Sequence, residues 1–497
     1  MKDRVVIGLE VHIELNTESK MFCSCLNNSS SNEPNSNICP VCSGCPGSLP
    51  VINKQAVEKT VKTGIALNCG IAEISKFDRK NYFYPDLTHG YQISQHENPL
   101  CEDGFLEIDG KKIRIRRIHL EEDAGKLIHP ENENYSLVDF NRAGTALMEL
   151  VTEPDIKSPE QARKFVEELR IFLRYLKVSN ADMDKGELRV DANISISSTP
   201  GKIDGKRVEI KNINSFKSIE KALNYEIQRQ EELINSEEEI RQETRGWDEK
   251  KEITVSQRNK EESHDYRYFP EPDLPAIVFS EKEKSFLNLQ KTRQSIPELP
   301  QQKRDRLKKE YNLTDKETEV FIEDTALCSY YEKIMSELRC WVKEVSFKTK
   351  IEDKEYFELA RTALNYVLTD LKGLLKKDEK IDSCFNITPE NFAELICLVY
   401  RKEVSKNIAK KVLEEMYLNG GDPSNIVSSK NWNEINDESE ILSIVEAVIK
   451  NNEKAVADYR KGKQESLKFL VGQVMGKTKG TANHVLVQKT IKDSFLN

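Results

Sequence analysis

Val5-Val6-Ile7-Gly8-Leu9-Glu10-Val11-His12-Ile13-Glu14-Leu15 alternates with a period of two. Successive side chains of a strand point to opposite faces, so Leu9, Val11 and Ile13 share one face and Glu10, His12 and Glu14 the other. The pattern predicts a strand with one buried face. The same period returns at Leu188, Val190, Ala192, Ile194 and Ile196, with Arg189, Asp191 and Asn193 between them. Arg207 to Lys211 (RVEIK) sets Glu209 and Lys211 opposite Val208 and Ile210. Helices fall between these strands. Ser158-Pro159-Glu160-Gln161 has the form of a capping box with proline at the first helical position. The apolar stripe Ala162, Phe165, Val166, Leu169, Phe172, Leu173, Leu176 follows it. Further helices are predicted over 55–68 and 217–234. Strands mixed with helices over roughly the first 290 residues give an α+β class.

Beyond the proline-rich stretch 291–301 (KTRQSIPELPQ) the chain turns helical and rich in Lys and Glu. That stretch reads as a domain boundary. A second break falls near Asn386-Ile387-Thr388-Pro389, where Thr388 and Pro389 look like a cap and first turn. The expected domains are therefore 1–292, 296–385 and 386–497, the last two all helical. A polar loop, Asn419 to Pro423, lies inside the last domain. Low complexity is confined to Leu26–Asn37.

The 497 residues suffice for two to four cored domains. No run of about 18 apolar residues is present, so no membrane-spanning helix is expected. Charges interrupt the apolar residues of the N-terminus, unlike a signal peptide, so a cytoplasmic protein is expected. The net charge of −9 argues against a protein coated by nucleic acid, but residues 451–497 carry nine Lys/Arg against four acids. Such a basic module suits a phosphate backbone, and a solvated helical face would have the same composition.

Five of the 11 cysteines crowd between Cys23 and Cys45. Cys23-x-Cys25 followed by Cys39-x-x-Cys42 offers four thiolates in two close pairs, the set for a closed, structural tetrahedral zinc site. Cys45 is a rival for the fourth place, because Cys42-x-x-Cys45 repeats the spacing. The stretch Gly472–Thr478 looks like a phosphate loop but is one residue short, and no buried strand precedes it. It reads as a basic loop on a helical module.

Several strands thus offer acids, amides and cations on one face. Ile118–Lys126 (IHLEEDAGK) adds His119, Glu121, Glu122, Asp123 and Lys126. Oxygen ligands for a metal beside cations for phosphate are what ATP–Mg²⁺ chemistry needs, although a solvated sheet face would look alike. Aromatic residues cluster at 80–86 (KNYFYPD) and 265–273 (DYRYFPEPD), as base-stacking groups or loop anchors.

Together these segments resemble the B-subunit family of the aspartyl/glutamyl-tRNA amidotransferases. The motifs that carry the likeness are IGLEVHIEL, SKMFCSC, CPVCSGCPGSLPVIN, FDRKNYFYPDL, YQISQ, HLEEDAGK, DFNRAG, EPD, DMDKGELRVDANIS, EIKNINSF, RQETR and DYRYFPEPDL. The tail LVGQVMGKTKGTANHVLVQKTI resembles the YqeY-type helical module that ends such proteins. The resemblance implies a glutamine-synthetase-like cradle domain holding a kinase/transamidase pocket. It implies that ATP activates the side-chain carboxylate of misacylated tRNA(Gln) or tRNA(Asn) as an acyl phosphate, which ammonia converts to the amide. By match of motif, Glu10, His12 and Glu122 are the expected Mg²⁺ ligands, with Glu149, Asp191 and Asn193 completing the pocket. Lys80, Arg142 and Lys211 are the expected phosphate or carboxylate contacts, and Cys23, Cys25, Cys39 and Cys42 the zinc ligands. An amidase partner and a small third partner, the family's A and C components, would complete a heterotrimer, since the chain lacks a Ser/Ser/Lys amidase signature. The E component of the archaeal two-part enzyme is a related alternative, but it carries a large extra domain for which this chain has no room. A scaffold that binds tRNA without catalysis is the other. The chain departs from the family pattern at Cys45, Thr88-His89 and Thr145-Ala146.

Overall fold

The computed structural model describes residues 4–28, 33–130, 133–197, 205–259, 266–279, 285–346, 353–377, 386–432, 438–478 and 480–496. Part of the low-complexity stretch (29–32), Asp265, residues 378–385 with Cys384, and Lys479 lie outside the described residues. The chain divides into two compact units, 1–302 and 303–497.

In the first unit the strands are β1 (Val5–Glu14), β2 (Gly70–Ile71), β3 (Ile74–Ser75), β4 (Asp78–Asn81), β5 (Tyr91–Ser94), β6 (Cys101–Ile108), β7 (Lys111–Glu122) and β8 (Lys126–Ile128). They continue with β9 (Leu137–Asp139), β10 (Ala146–Thr152), β11 (Leu188–Ile196), β12 (Val208–Ile213), β13 (Glu243–Asp248), β14 (Ile253–Asn259), β15 (Arg267–Pro270) and β16 (Ile277–Val278). The helices are α1 (Lys54–Ala66), α2 (Pro159–Tyr175), α3 (Phe216–Asn235) and α4 (Leu289–Gln294). Nine strands form one sheet in the order β14-β13-β12-β11-β1-β10-β7-β6-β2. Its pairings are antiparallel except β12–β13, and α3 provides the crossover that a parallel pair requires. The α+β class expected from the sequence is the one observed, with a mixed sheet.

Helices α1, α2 and α3 pack on one face of this sheet. Leu9, Val11 and Ile13 point there and are almost wholly buried, each stabilising the fold by about 1.5–3 kcal/mol. The α2 stripe meets them: Ala162, Phe165, Val166, Leu169, Phe172 and Leu173 are all buried. Ser158 caps α2 by accepting from the Gln161 amide, but the Gln161 side chain accepts from Lys157 rather than Ser158. The cap is thus one residue wider than the expected box. With the helices on one side, the other face keeps its polar residues.

The second unit is helical: α5 (Pro300–Tyr311), α6 (Asp315–Glu323), α7 (Thr325–Ser346), α8 (Asp353–Asn365), a π-helical stretch Tyr366–Leu371, and α9 (Lys372–Lys377). Then come α10 (Pro389–Tyr400), α11 (Lys406–Asn419), α12 (Pro423–Lys430), α13 (Glu438–Asn451), α14 (Glu453–Arg460), α15 (Gln464–Lys477) and α16 (His484–Leu496). Thr388 caps α10 with Pro389 in its first turn, as the sequence indicates. Helix α10 packs on α7, and Tyr330 donates to the Ile387 carbonyl at 2.9 Å. Helices α13, α15 and α16 share a core built on Val445, Leu470, Val474, Val487 and Ile491. The stretch Gly472–Lys477 corrects an expectation: it is helix, not loop, and neither Gly472 nor Gly476 has a positive φ. Helical amides are already bonded to their own carbonyls, so no phosphate cradle forms there. Among the described residues no helix is long and apolar enough to cross a membrane.

Candidate active site and cysteine knuckle

Register brings the polar residues together. His12 on β1 lies opposite Arg189 on β11 and Glu149 on β10, and Glu149 lies opposite His119 on β7. One row across four strands therefore reads Arg189, His12, Glu149, His119. In the next row Glu10 faces Asp191, and in the one after Asn193 faces Glu209 on β12. Opposite residues of an antiparallel pair share a face, so all of these project from the helix-free side.

Glu149 is the hub. Its Oε2 lies 3.5 Å from His12 Nε2 and 3.4 Å from His119 Nε2. Glu121 sits 3.9 Å from both imidazoles and accepts from Ser94 Oγ at 3.1 Å. Ligand atoms of His12, Glu121 and Glu149 all lie within 4.8 Å of one another, close enough to hold one metal ion. Burial pushes the Glu149 carboxyl up, but His119 and His12 hold it well below the usual range. Burial pulls the His12 imidazole down, yet its bond to Glu149 and the charge of Glu121 lift it to about 9. The pocket thus favours positive charge at the point where the two carboxylates converge.

The neighbouring groups are also paired. Asn193 donates to Glu10 at 2.9 Å, and burial together with Glu149 and Glu209 raises the Glu10 carboxyl. Lys211 bonds Asp191 at 2.8 Å and Glu209 at 3.2 Å. Arg189 bonds Asp123 at 2.5 Å. Arg142 lies 3.5 Å from Asp123 and donates to the carbonyls of Ala124 and Gly125 at 3.0 Å each, which ties down the turn after β7.

Lys80 comes from a separate three-stranded sheet, β15-β4-β5. The two aromatic segments of the sequence are neighbours there, with Tyr268 opposite Lys80. The ammonium lies 5.0 Å from the Tyr266 ring and 5.8 Å from the Tyr82 ring. Burial would lower it, but the charges of Glu121, Tyr268 and Glu149 hold it above its ordinary value.

Glu122 requires a correction. Its side chain leaves β7 on the side away from Glu121, accepts from the Ile93 amide at 3.0 Å, and lines a small cavity with Phe22, Cys23, Cys42 and His89. Burial pushes its carboxyl up to about 8. The reason is the two-residue period: Glu122 has the parity of Ile118 and Leu120, which belong to the apolar core, whereas Glu121 has that of His119 on the polar face. Glu121, His119 and Arg189 are the site residues that motif matching passes over, and this parity is their signal.

The cysteine knuckle forms a second cluster. The sulfurs of Cys23, Cys25, Cys39 and Cys42 lie within 4.8 Å of one another, with Cys42 3.9 Å from Cys25 and 3.8 Å from Cys39. Tetrahedral metal–sulfur bonds of about 2.3 Å set sulfurs about 3.8 Å apart, so the set fits a metal. Cys45 is exposed and turned toward Ser43, outside the four. Gly44 has φ +70° and packs on Thr88, which turns the chain between Cys42 and Cys45.

A family described as "GatB/GatE catalytic domain" matches residues 5–285, and one described as "GatB domain" matches 347–495. The chain is 48% identical over 496 residues to the B subunit of the aspartyl/glutamyl-tRNA(Asn/Gln) amidotransferase of Thermodesulfovibrio yellowstonii, covering 99% of each. It is 46% identical over 503 residues to the protein of that description from Caldicellulosiruptor saccharolyticus, covering 100% of this chain and 99% of the relative. The Thermotoga maritima protein is 45% identical over 501 residues, with 99% of each covered.

Proposed function

This chain belongs to the GatB/GatE family, and from that membership we propose that its polar sheet face amidates the aminoacyl group of misacylated tRNA. It works as the B subunit of a glutamine-dependent aspartyl/glutamyl-tRNA amidotransferase, a carbon–nitrogen ligase. The observation that carries the assignment of the site is the cluster of His12, Glu121 and Glu149, whose two carboxylates also act on the charge of Lys80.

A side-chain carboxylate has no leaving group. Its oxygen therefore attacks the γ-phosphorus of ATP, and the bond to ADP breaks. Ammonia then attacks the carbonyl carbon of the acyl phosphate and phosphate leaves, which gives the amide. Mg²⁺ supplies neutralisation and alignment of the phosphates when bound. The two carboxylates suit it as hard oxygen ligands, His12 would join them only as a neutral imidazole, its proton displaced by the metal, and its 22% exposure leaves room for water or phosphate oxygens. Glu10, Asp191 and Asn193 line the adjoining row. Lys80 stands against the Tyr266 and Tyr82 rings, with its charge felt by Glu121 and Glu149, and its ammonium is the group offered to an incoming phosphate. Arg189 and Lys211 bring further positive charge, and Arg142 acts by holding the turn after β7. Glu122 has no part in this pocket.

The cysteines hold structural zinc, because four thiolates with no open position suit it. Ammonia comes from an amidase partner, with a small third protein completing the heterotrimer in the cytoplasm. Among the described residues of the tail, Lys454, Arg460, Lys461, Lys463, Lys468, Lys477, Lys489 and Lys492 are basic, as a surface gripping the tRNA(Gln) or tRNA(Asn) backbone would require. Full-length likeness to B subunits favours this reading over the archaeal E component.

The test is amidation by the chain co-expressed with the amidase and the small third protein, given ATP, Mg²⁺, glutamine and each misacylated tRNA. Amide formation that disappears in Glu10→Gln/His12→Ala supports the assignment. Retained activity in that variant refutes the pocket, and no activity with either tRNA favours a scaffold.

A further inference from the structure

Lys20 is the one lysine buried among the described residues, with no exposed surface. A lysine is almost never fully buried without a compensating partner. Its ammonium donates to the Asn37 carbonyl at 2.9 Å and lies 3.7 Å from Cys42 Sγ. Its backbone amide donates to the Cys25 carbonyl at 2.9 Å. One residue thus touches both cysteine pairs, by its backbone and by its charge. The backbone amide of Asn37 donates to the Asn141 side chain at 2.8 Å, which fixes the segment whose carbonyl aims the ammonium.

Four thiolates around a divalent metal leave a net charge of −2 inside the protein. Buried charge of that size is costly unless a counter-charge or hydrogen-bond donors are supplied. The described contacts to the sulfurs include two backbone donors, the Cys39 amide to Cys42 Sγ at 3.2 Å and the Cys25 amide to Cys23, and neither carries a charge. From this juxtaposition we infer that Lys20 is the buried counter-cation of the cysteine metal centre. It is a positioning residue that donates to Cys42, offsets one negative charge and so tightens the hold on the metal. This rests on the zinc reading given above.

The experiment uses the full-length chain. Zinc content is measured first, then zinc affinity by competition with a chromogenic chelator, for wild type, Lys20→Met and Lys20→Gln. Both variants remove the charge, and glutamine keeps a donor for Asn37. Outer-shell partners of metals typically contribute 10–100-fold in affinity, so both should bind zinc at least about tenfold more weakly. Melting is followed with zinc bound and with zinc removed. A counter-cation predicts a larger fall in melting temperature with zinc than without it. A mere packing role lowers both equally. Unchanged affinity, or equal falls, overturns the inference even if wild type carries zinc. A wild-type chain that binds no zinc overturns the zinc reading and this inference together.

Discussion

Glu121 and Glu122 are consecutive in the chain, yet their carboxylates leave strand β7 on opposite sides. One lies 3.9 Å from His12 and the other accepts from Ile93 beside the cysteine knuckle. Substituting the two therefore separates two functions. Glu121→Gln should raise the Mg²⁺ concentration needed for half-maximal amidation by at least about tenfold. Glu122→Gln should keep the parental Mg²⁺ requirement, because glutamine still accepts from Ile93. Steady-state rates against Mg²⁺ decide it, and a shared defect would mean that the faces are not independent.

Lys80→Met should lower the amidation rate by about 10²-fold, the usual effect of removing one charge that stabilises a transition state. Its charge is held by those of Glu121 and Glu149. Affinity of the complex for tRNA should stay at the parental value, since the basic tail is unchanged. Rate and tRNA binding measured on one preparation separate these effects.

Gly44 takes φ +70°, and a Cβ there would sit 2.4 Å from the Thr88 carbonyl oxygen. Gly44→Ala forces a non-glycine residue into a left-handed conformation, at about 1–3 kcal/mol, and adds the clash. The variant should melt earlier and hold less zinc per chain than wild type. Full zinc occupancy with normal melting would contradict this account of the knuckle.

In the helical unit, Thr314 and Glu317 form a reciprocal capping box at α6, and Arg361 reaches Glu317 at 2.6 Å. Burial pushes the Glu317 carboxyl up, but the Thr314 bonds and Arg361 together hold it below 4.5. A depressed folded value means that its stabilisation is present above pH 4.5 and fades as pH falls through the folded value. Glu317→Gln keeps the cap and loses the charge, so it should cost about 0.5 kcal/mol near neutral pH. Denaturant melts at about pH 7 and about pH 3 should show the gap closing at the lower pH. A gap that persists in acid would assign the effect to packing.

Lys468 and Lys492 are exposed on α15 and α16. If they meet phosphates, Lys468→Ala/Lys492→Ala should weaken tRNA binding about equally for both tRNA species. It should also reduce the slope of log affinity against log salt by about one per lost contact. An unchanged salt slope would place the tRNA elsewhere.

Much of the fold can be read from periodicity. Strands β1 and β11 and the buried face of α2 follow from spacing alone, because one buried face leaves one register. The residues that meet are harder to name. His12 and Glu149 lie far apart in the chain and become neighbours only through the β1–β10 register. Glu121 is legible in principle, since Ile118 and Leu120 mark Glu122 as facing the core. Motif order points to Glu122 instead, because a family signature carries both acids without saying which face each takes. Lys20 has no such signal, as lysine is ordinarily a surface residue.

The sheet order has a consequence for biosynthesis. His12 stands at the centre, flanked by β10 on one side and β11 on the other, with β12 one strand further out. A nascent chain that has made His12 must still make everything through Lys211 before Asp191 gains its cation. At roughly 5–20 residues per second that takes about 10–40 s. For most of this interval β1 lacks at least one neighbour, since β10 ends at Thr152 and β11 only at Ile196. The row of Arg189, His12, Glu149 and His119 therefore cannot assemble until the strands on both sides of β1 have been made, so the candidate site comes into being only with its sheet.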